Sequence, residues 1–177
     1  EAWRCILNAS ETDIPLRKLT RIQMSAAECE SVRVTRRLAA PPERVFESWV
    51  NPAFLRRWLA PIAEVEARVG GRFRLEVSKA EGTHVVSGEY REFVPNQRLA
   101  MTWVYEGPMT PAGKIDALLT VEFRKDGSNT EISLHHEGLT NPVYLETIRH
   151  GAWTKALDDL EAVLAGHAPG ETSTKAT

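Results

Sequence analysis

The chain of 177 residues carries two cysteines, Cys5 and Cys29, both close to its N-terminal end. Everything after them is free of thiols, which excludes a disulfide framework for the core, a cysteine nucleophile within it and a zinc site built on cysteine pairs. Long apolar runs are missing as well. No stretch approaches the roughly 18 residues of a spanning helix, and no basic head followed by an apolar segment opens the chain, so a cytoplasmic protein is expected. Excess charge of either sign is absent: 22 Lys and Arg against 24 Asp and Glu leave a formal charge of −2. Nucleic acid or an anionic membrane would demand a basic surface, so neither is an expected partner. No two histidines stand four apart, so no metal site is expected. There is no Gly-x-Ser-x-Gly, which argues against serine hydrolase chemistry. Gly70-Gly71 reads as a turn and not as a phosphate loop, and no cofactor is expected.

What is present is the apolar content of one ordinary domain, 42% of residues with 7% aromatic. A chain of this length buries roughly 70% of its unfolded surface, so a core needs no disulfide or metal support. Residues 1–31 mix charges of both signs and read as an N-terminal extension, with one weakly amphipathic stretch from Ile14 to Met24. Met24 opens MSAAECESVRV, which looks like an ordinary protein start, so the residues before it are expected to be foreign to the natural protein. Asn8-Ala9-Ser10 fits a glycosylation triplet and, without a secretory signal, reads as accidental. At the other end residues 167–177 read as a polar tail following a helix that stops at Gly166. The folded unit is expected over residues 32–166.

Within that unit the apolar period changes twice. Val32, Val34 and Leu38 alternate with Arg33, Thr35 and Arg37, the pattern of a strand with one buried face. Pro41-Pro42 then opens a helix carrying Val45, Phe46, Trp49 and Val50, and Asn51-Pro52 restarts the chain into a second carrying Phe54, Leu55, Trp58 and Leu59. From Pro61 to about His136 the period is two, with turn residues at short intervals. Six strands are expected, around Ala63–Val69, Phe73–Val77, Val85–Phe93, Leu99–Tyr105, Ala117–Phe123 and Ile132–His136. The loop from Gly107 to Lys114 is longer than a tight hairpin needs, which fits either a lid or a wide turn. Asn141-Pro142 signals a last helix running to about Ala165, with Leu145, Ile148, Ala152, Trp153, Ala156, Leu157, Leu160, Val163 and Leu164 on one face. At ~1.5 Å per residue it spans roughly 36 Å, more than the roughly 23 Å of a seven-residue strand. The predicted fold is α+β: a curved antiparallel sheet of about seven strands gripping a long C-terminal helix, with two short helices after the first strand.

Five segments in this order, APPERVFESWVNPAFLRRWLAP, GGRFRLEV, GEYREFVPNQRLAMTWVYE, TEISLHHEGL and GAWTKALDDLEAVL, resemble the homologues of the activator of 90 kDa heat shock protein ATPase. That family lies in the START-like (SRPBCC, helix-grip) superfamily, and the resemblance covers roughly residues 32–165. Pro41, Val45, Phe46, Trp49, Pro52 and Trp58 match its first-helix and second-helix positions. Gly70-Gly71, Gly88, Pro95 and Trp103 match its turns and strands, and His136, Glu137 and Gly138 match its exit from the last strand. One departure is that Ala152 precedes Trp153 where such proteins commonly have glycine, Gly151 being displaced by one. The resemblance implies a cavity between sheet and last helix as often as a filled core, and a homodimer is common in the class. The eukaryotic co-chaperone of this name also has a chaperone-docking domain, and residues 1–31 do not look like one, so a chaperone partner is not expected.

The candidate cavity residues are Trp58 on the second helix, Phe73 and Leu75 on one strand, and Val86 and Tyr90 on the next. Met101, Trp103 and Tyr105 follow, then Leu119 and Val121, Leu134 and His136, and finally Ile148, Trp153 and Leu157 on the last helix. Any of them serves equally as core. The polar handles of Tyr90, Trp103, Tyr105 and Trp153 on an apolar wall favour a ligand, because such groups fix a small molecule's orientation. His136 points inward and His135 outward, while His84 and His150 read as isolated and exposed. His136 is the weak candidate for a catalytic group, with a satisfied structural histidine as the plainer reading. The functional expectation is a non-catalytic START-like domain binding a small apolar or aromatic molecule. One alternative is an enzyme of the polyketide-cyclase or dehydratase kind, with His136 and Tyr90 or Tyr105 as acid and base. The other is a co-chaperone or protein-binding module, for which an exposed apolar patch is required and which strand exteriors rich in Arg, Glu and Thr do not suggest.

Overall fold

The alternation of Val32 and Val34 with charged neighbours builds β1 (Ser31–Leu38) in a computed structural model that describes residues 30–110 and 113–167. The N-terminal extension, with the Ile14–Met24 stretch and both cysteines, lies outside the described residues, as does the polar tail beyond His167. Pro42 and Pro52 each open a helix, α1 (Pro42–Val50) and α2 (Pro52–Trp58). Asn51 serves both, since its backbone N–H closes α1 on the Glu47 carbonyl and its side chain accepts from the Ala53 N–H that begins α2. Six strands follow: β2 (Ile62–Val65), β3 (Arg72–Lys79), β4 (Gly82–Val94), β5 (Arg98–Glu106), β6 (Ile115–Asp126) and β7 (Asn129–Glu137). They form one antiparallel sheet in the order β1-β7-β6-β5-β4-β3-β2, so the first strand returns to pair with the last.

One face of this sheet is the core. Leu99, Met101, Trp103 and Tyr105 of β5, Leu119, Val121 and Phe123 of β6 and Ile132, Leu134 and His136 of β7 are all buried on it. On β4 a bulge between Tyr90 and Glu92 shifts the parity, so that Tyr90 opposes Met101 and Phe93 opposes Leu99, and both rings face inward. Gly88 permits a close approach: a Cβ there would stand 1.9 Å from the Thr102 carbonyl oxygen and 2.8 Å from the Phe73 ring. The edge of the Phe73 ring therefore comes close to Gly88, beside Trp103, with ring centroids 5.9 Å apart.

Two elements differ from the sequence expectation. β2 stops at Val65 instead of running to Val69, because the chain turns back on itself through the Arg68 N–H to Glu66 carbonyl and Gly71 N–H to Arg68 carbonyl bonds. Val69 is left 61% exposed. The last helix is bent: α3 (Pro142–Thr147) and α4 (Trp153–Leu164) are joined by a π-helical turn, Ile148–Ala152, in which Gly151 has φ of 102°. That left-handed residue rotates the register, so Ala152 is exposed where the stripe placed it inside, and Tyr144 of α3 is buried. A Cβ at Gly151 meets nothing closer than Thr154 at 3.7 Å, so alanine there adds backbone strain without a clash. Gly151→Ala is expected to lower stability by ~1–2 kcal/mol in urea unfolding, and an unchanged midpoint would show that the bend is not held in this conformation.

On the outward face of the sheet, charged pairs such as Arg124–Glu131 at 2.6 Å and Arg37–Asp126 at 2.7 Å are solvent-exposed and contribute little to stability. Among the described residues the exposed large apolar side chains are Ile62, Val69 and Val143, and no helix is long and apolar enough to cross a membrane.

Candidate functional site

Three tryptophans from distant parts of the chain meet under the last helix. Trp49 comes from α1, Trp103 from the middle of β5 and Trp153 from the first residue of α4. The Trp153 ring stacks on Trp49, centroids 6.0 Å apart and planes at 29°, and lies 5.3 Å from Trp103. On its other side it faces the imidazole of His136, 6.0 Å away, and its indole N–H donates to His136 Nδ1 at 3.1 Å. Trp103 donates to the Tyr144 hydroxyl at 2.9 Å, and Tyr144 stacks on Tyr105 with centroids 4.7 Å apart. The Tyr105 hydroxyl lies 2.8 Å from His84 Nδ1, and His84 Nε2 is 3.3 Å from a Glu81 carboxylate oxygen. A row of rings thus runs from fully buried His136 to the solvent edge at the start of β4.

The electrostatics follow from burial. Desolvation, with the neighbouring His135 adding a smaller effect, pulls the His136 pKa down to about 3, so the imidazole is neutral across the physiological range. Burial pushes the Tyr90 and Tyr144 hydroxyls above the usual tyrosine range, and Tyr105 moves the same way. The centre therefore offers neutral donors and acceptors and no ionised group. Two buried polar atoms have no partner among the described residues, Trp49 Nε1 and His136 Nε2. No three His, Cys, Asp or Glu side chains among those residues come together as metal ligands.

Fourteen of the fifteen expected cavity residues are buried in one core, and Val86 is half-buried. Trp103, His136 and Trp153 form its centre, whereas Trp58 donates to the Ser48 carbonyl and belongs to the helix packing. Among the described residues a void of about 10 Å³ lies between Trp49, Phe73, Tyr90, Met101 and Trp103, room for one water at most. Around it the described side chains pack ring against ring in this conformation. A wide, open depression of about 810 Å³ lies on the outer side of α3 and the π-helical turn, along Val143, Glu146, Thr147 and His150. No buried polar group converges on it.

Sequence reasoning missed three participants. Tyr144 was left off the stripe although it stands four residues before Ile148, a signal that was available. His84 is neither isolated nor fully exposed, since it shares the inward parity of Val86 and Tyr90 and meets Tyr105 across the strand pair. Trp49 was placed only in the helix core. The loop after β5 is tied to α3, where the Met109 carbonyl accepts from Asn141 at 3.5 Å and the Met109 sulfur lies 3.4 Å from Thr147 Oγ1.

Comparison with known proteins is consistent with this arrangement. The model of the family described as Activator of Hsp90 ATPase homolog 1-like protein matches residues 39–165. A solved structure of a protein from Chromobacterium violaceum is 31% identical, covers 75% of this chain and 96% of its own, and superposes with a TM-score of 0.65. CalU16 from Micromonospora echinospora is 28% identical over 76% of each chain, with a TM-score of 0.59. A protein from Mesorhizobium loti, 23% identical over 77% of this chain and 98% of its own, shares the fold with a TM-score of 0.66. No curated protein matches the chain.

Proposed function

The chain belongs to the family of Activator of Hsp90 ATPase homolog 1-like proteins, and from that membership and the geometry of the site we propose that it binds a small apolar or aromatic molecule between sheet and last helix without transforming it. The supporting observation is His136, fully buried, with one nitrogen engaged by Trp153 and the other without a partner among the described residues. An unpaired buried donor costs ~1–3 kcal/mol, and a leucine or phenylalanine at the end of β7 would avoid that cost. A ligand atom bonded to it offsets the penalty.

Entry requires one wall to move, and α3 is the weakest. It has six residues, ends at the π-helical turn with its left-handed Gly151, and is tied across the site by the Trp103–Tyr144 bond and the Met109 contacts. α4 stays in place through the Trp153–His136 bond. Outward rotation of α3 separates Tyr144 and Ile148 from the sheet and opens a slot between Trp103, Tyr105 and Trp153.

The acid–base alternative has less support. The Tyr105 hydroxyl meets His84 and not His136, and the group bonded to His136 is an indole, which does not ionise near neutral pH and so cannot serve as its acid or base partner. Titration of the protein with 6-propionyl-2-(dimethylamino)naphthalene, followed by emission and by native mass spectrometry, tests the binding reading. A blue-shifted emission with a saturable 1:1 complex is expected. Emission unchanged from buffer and no complex at micromolar protein would overturn it.

A further inference from the structure

We propose that the molecule taken into this site presents one uncharged acceptor oxygen, the carbonyl of an aromatic ketone, quinone or amide, to Nε2 of His136. This deepens the ligand-binding reading above and rests on it.

Trp153 Nε1 is a donor only, so its 3.1 Å contact needs a lone pair at His136 Nδ1. A neutral imidazole has a single N–H, and with Nδ1 accepting, that hydrogen resides on Nε2. Nε2 is therefore a donor, fully buried, and no acceptor among the described residues reaches it. The complementary ligand atom is an acceptor.

The charge of that atom follows from what surrounds it. Among the described residues the buried polar and charged side chains are Ser48, Thr120, Thr130 and His136, without a lysine or arginine among them. A carboxylate or phosphate placed at Nε2 would lose its hydration with no counter-ion, a cost larger than one hydrogen bond returns. Protonating His136 to supply the charge would set its Nδ1–H against the Trp153 N–H, donor facing donor, and forfeit the bond that positions the ring. A neutral oxygen meets neither obstacle. The body of the ligand meets ring surfaces, since Trp103, Trp153 and Tyr144 all have centroids within 6.1 Å of the imidazole and stand at 59–89° to one another or to it. Flat aromatic frames make edge-to-face and offset contacts in such a setting that branched aliphatics do not.

Three probes on one frame test this by calorimetry on the full chain: 2-acetylnaphthalene, 2-ethylnaphthalene and 2-naphthoate. The ketone is expected to bind at least tenfold more tightly than either of the others. His136→Leu should erase the ketone's advantage while the hydrocarbon still binds, and His136→Gln, whose amide carries both an acceptor and a donor, should restore part of it. Independently of any variant, the infrared carbonyl band of the bound, ¹³C-labelled ketone in the wild-type chain should move to lower frequency than in hexane. Equal affinity for ketone and hydrocarbon, tightest binding of the naphthoate, or an unshifted carbonyl band would overturn the acceptor assignment and leave the pocket standing. Failure of all three probes to bind would overturn the pocket and the assignment together.

Discussion

Trp153→Ala is expected to lower the free energy of unfolding by about 5 kcal/mol, comparable to the whole stability of many domains of this size. Trp153 is 4% exposed, stacks on Trp49, packs beside Trp103 and donates to His136. Truncating a buried tryptophan removes ~3–5 kcal/mol of packing, and leaving His136 Nδ1 without its donor adds ~1–3 kcal/mol. Trp153→Phe keeps an aromatic ring in the stack while losing the N–H and part of the indole volume, so its cost sets an upper bound on the hydrogen-bond contribution. About 2 kcal/mol is expected for it. Urea unfolding followed by circular dichroism measures both. A loss under ~2 kcal/mol for the alanine variant would contradict a filled interior and indicate that the wall is already open in the resting protein.

The second large effect is a pH dependence. The folded-state pKa of His136 is about 3 against an ordinary 6.5, so between these values the unfolded chain binds a proton that the folded chain refuses. The stabilisation from keeping the ring neutral is complete above about pH 6.5 and is lost as the pH falls toward 3, with a slope approaching 1.4 kcal/mol per unit. From pH 7 to pH 5 the expected loss is about 2 kcal/mol, and by pH 3 it reaches about 4 kcal/mol. His136→Gln cannot titrate, so its own profile should lack this component. Parallel wild-type and variant profiles between pH 7 and 5 would mean that the imidazole is not buried neutral. The same proton connects to ligand binding, because protonation ejects Trp153 from Nδ1 and unmakes the site.

Much of this was legible from the residues alone. The alternation in β1 and in β5 to β7, the Asn-Pro helix starts and the length of the final helix were enough for the α+β helix-grip architecture, with inward parity right for Trp103, Tyr105 and His136. Period and parity report which way a side chain points. They do not report how far apart facing walls stand, so neither parity nor spacing places the Trp49 ring against Trp153. The bend at Gly151 was hidden for a related reason: apolar spacing on either side fits an unbroken helix, and only the positive φ shows that the register slips there. His84 was misread because its partner is 21 residues away on the neighbouring strand, beyond any local pattern. The bulge after Tyr90 moved Phe93 inward by the same kind of long-range register, set by pairing with β5.

In the binding reading the aromatic interior opens at α3 to receive a flat molecule. A ¹H–¹⁵N correlation spectrum of tryptophan-labelled protein, titrated with 6-propionyl-2-(dimethylamino)naphthalene, tests it most directly, because both indole N–H groups at the centre are hydrogen-bonded in the closed state. The Trp103 resonance is predicted to move furthest, as its bond to Tyr144 breaks, with a smaller shift at Trp153 and little at Trp58, whose donor bond to the Ser48 carbonyl lies within the helix packing. Saturable binding that leaves the Trp103 and Trp153 resonances in place would show that the molecule does not enter between the sheet and the last helix.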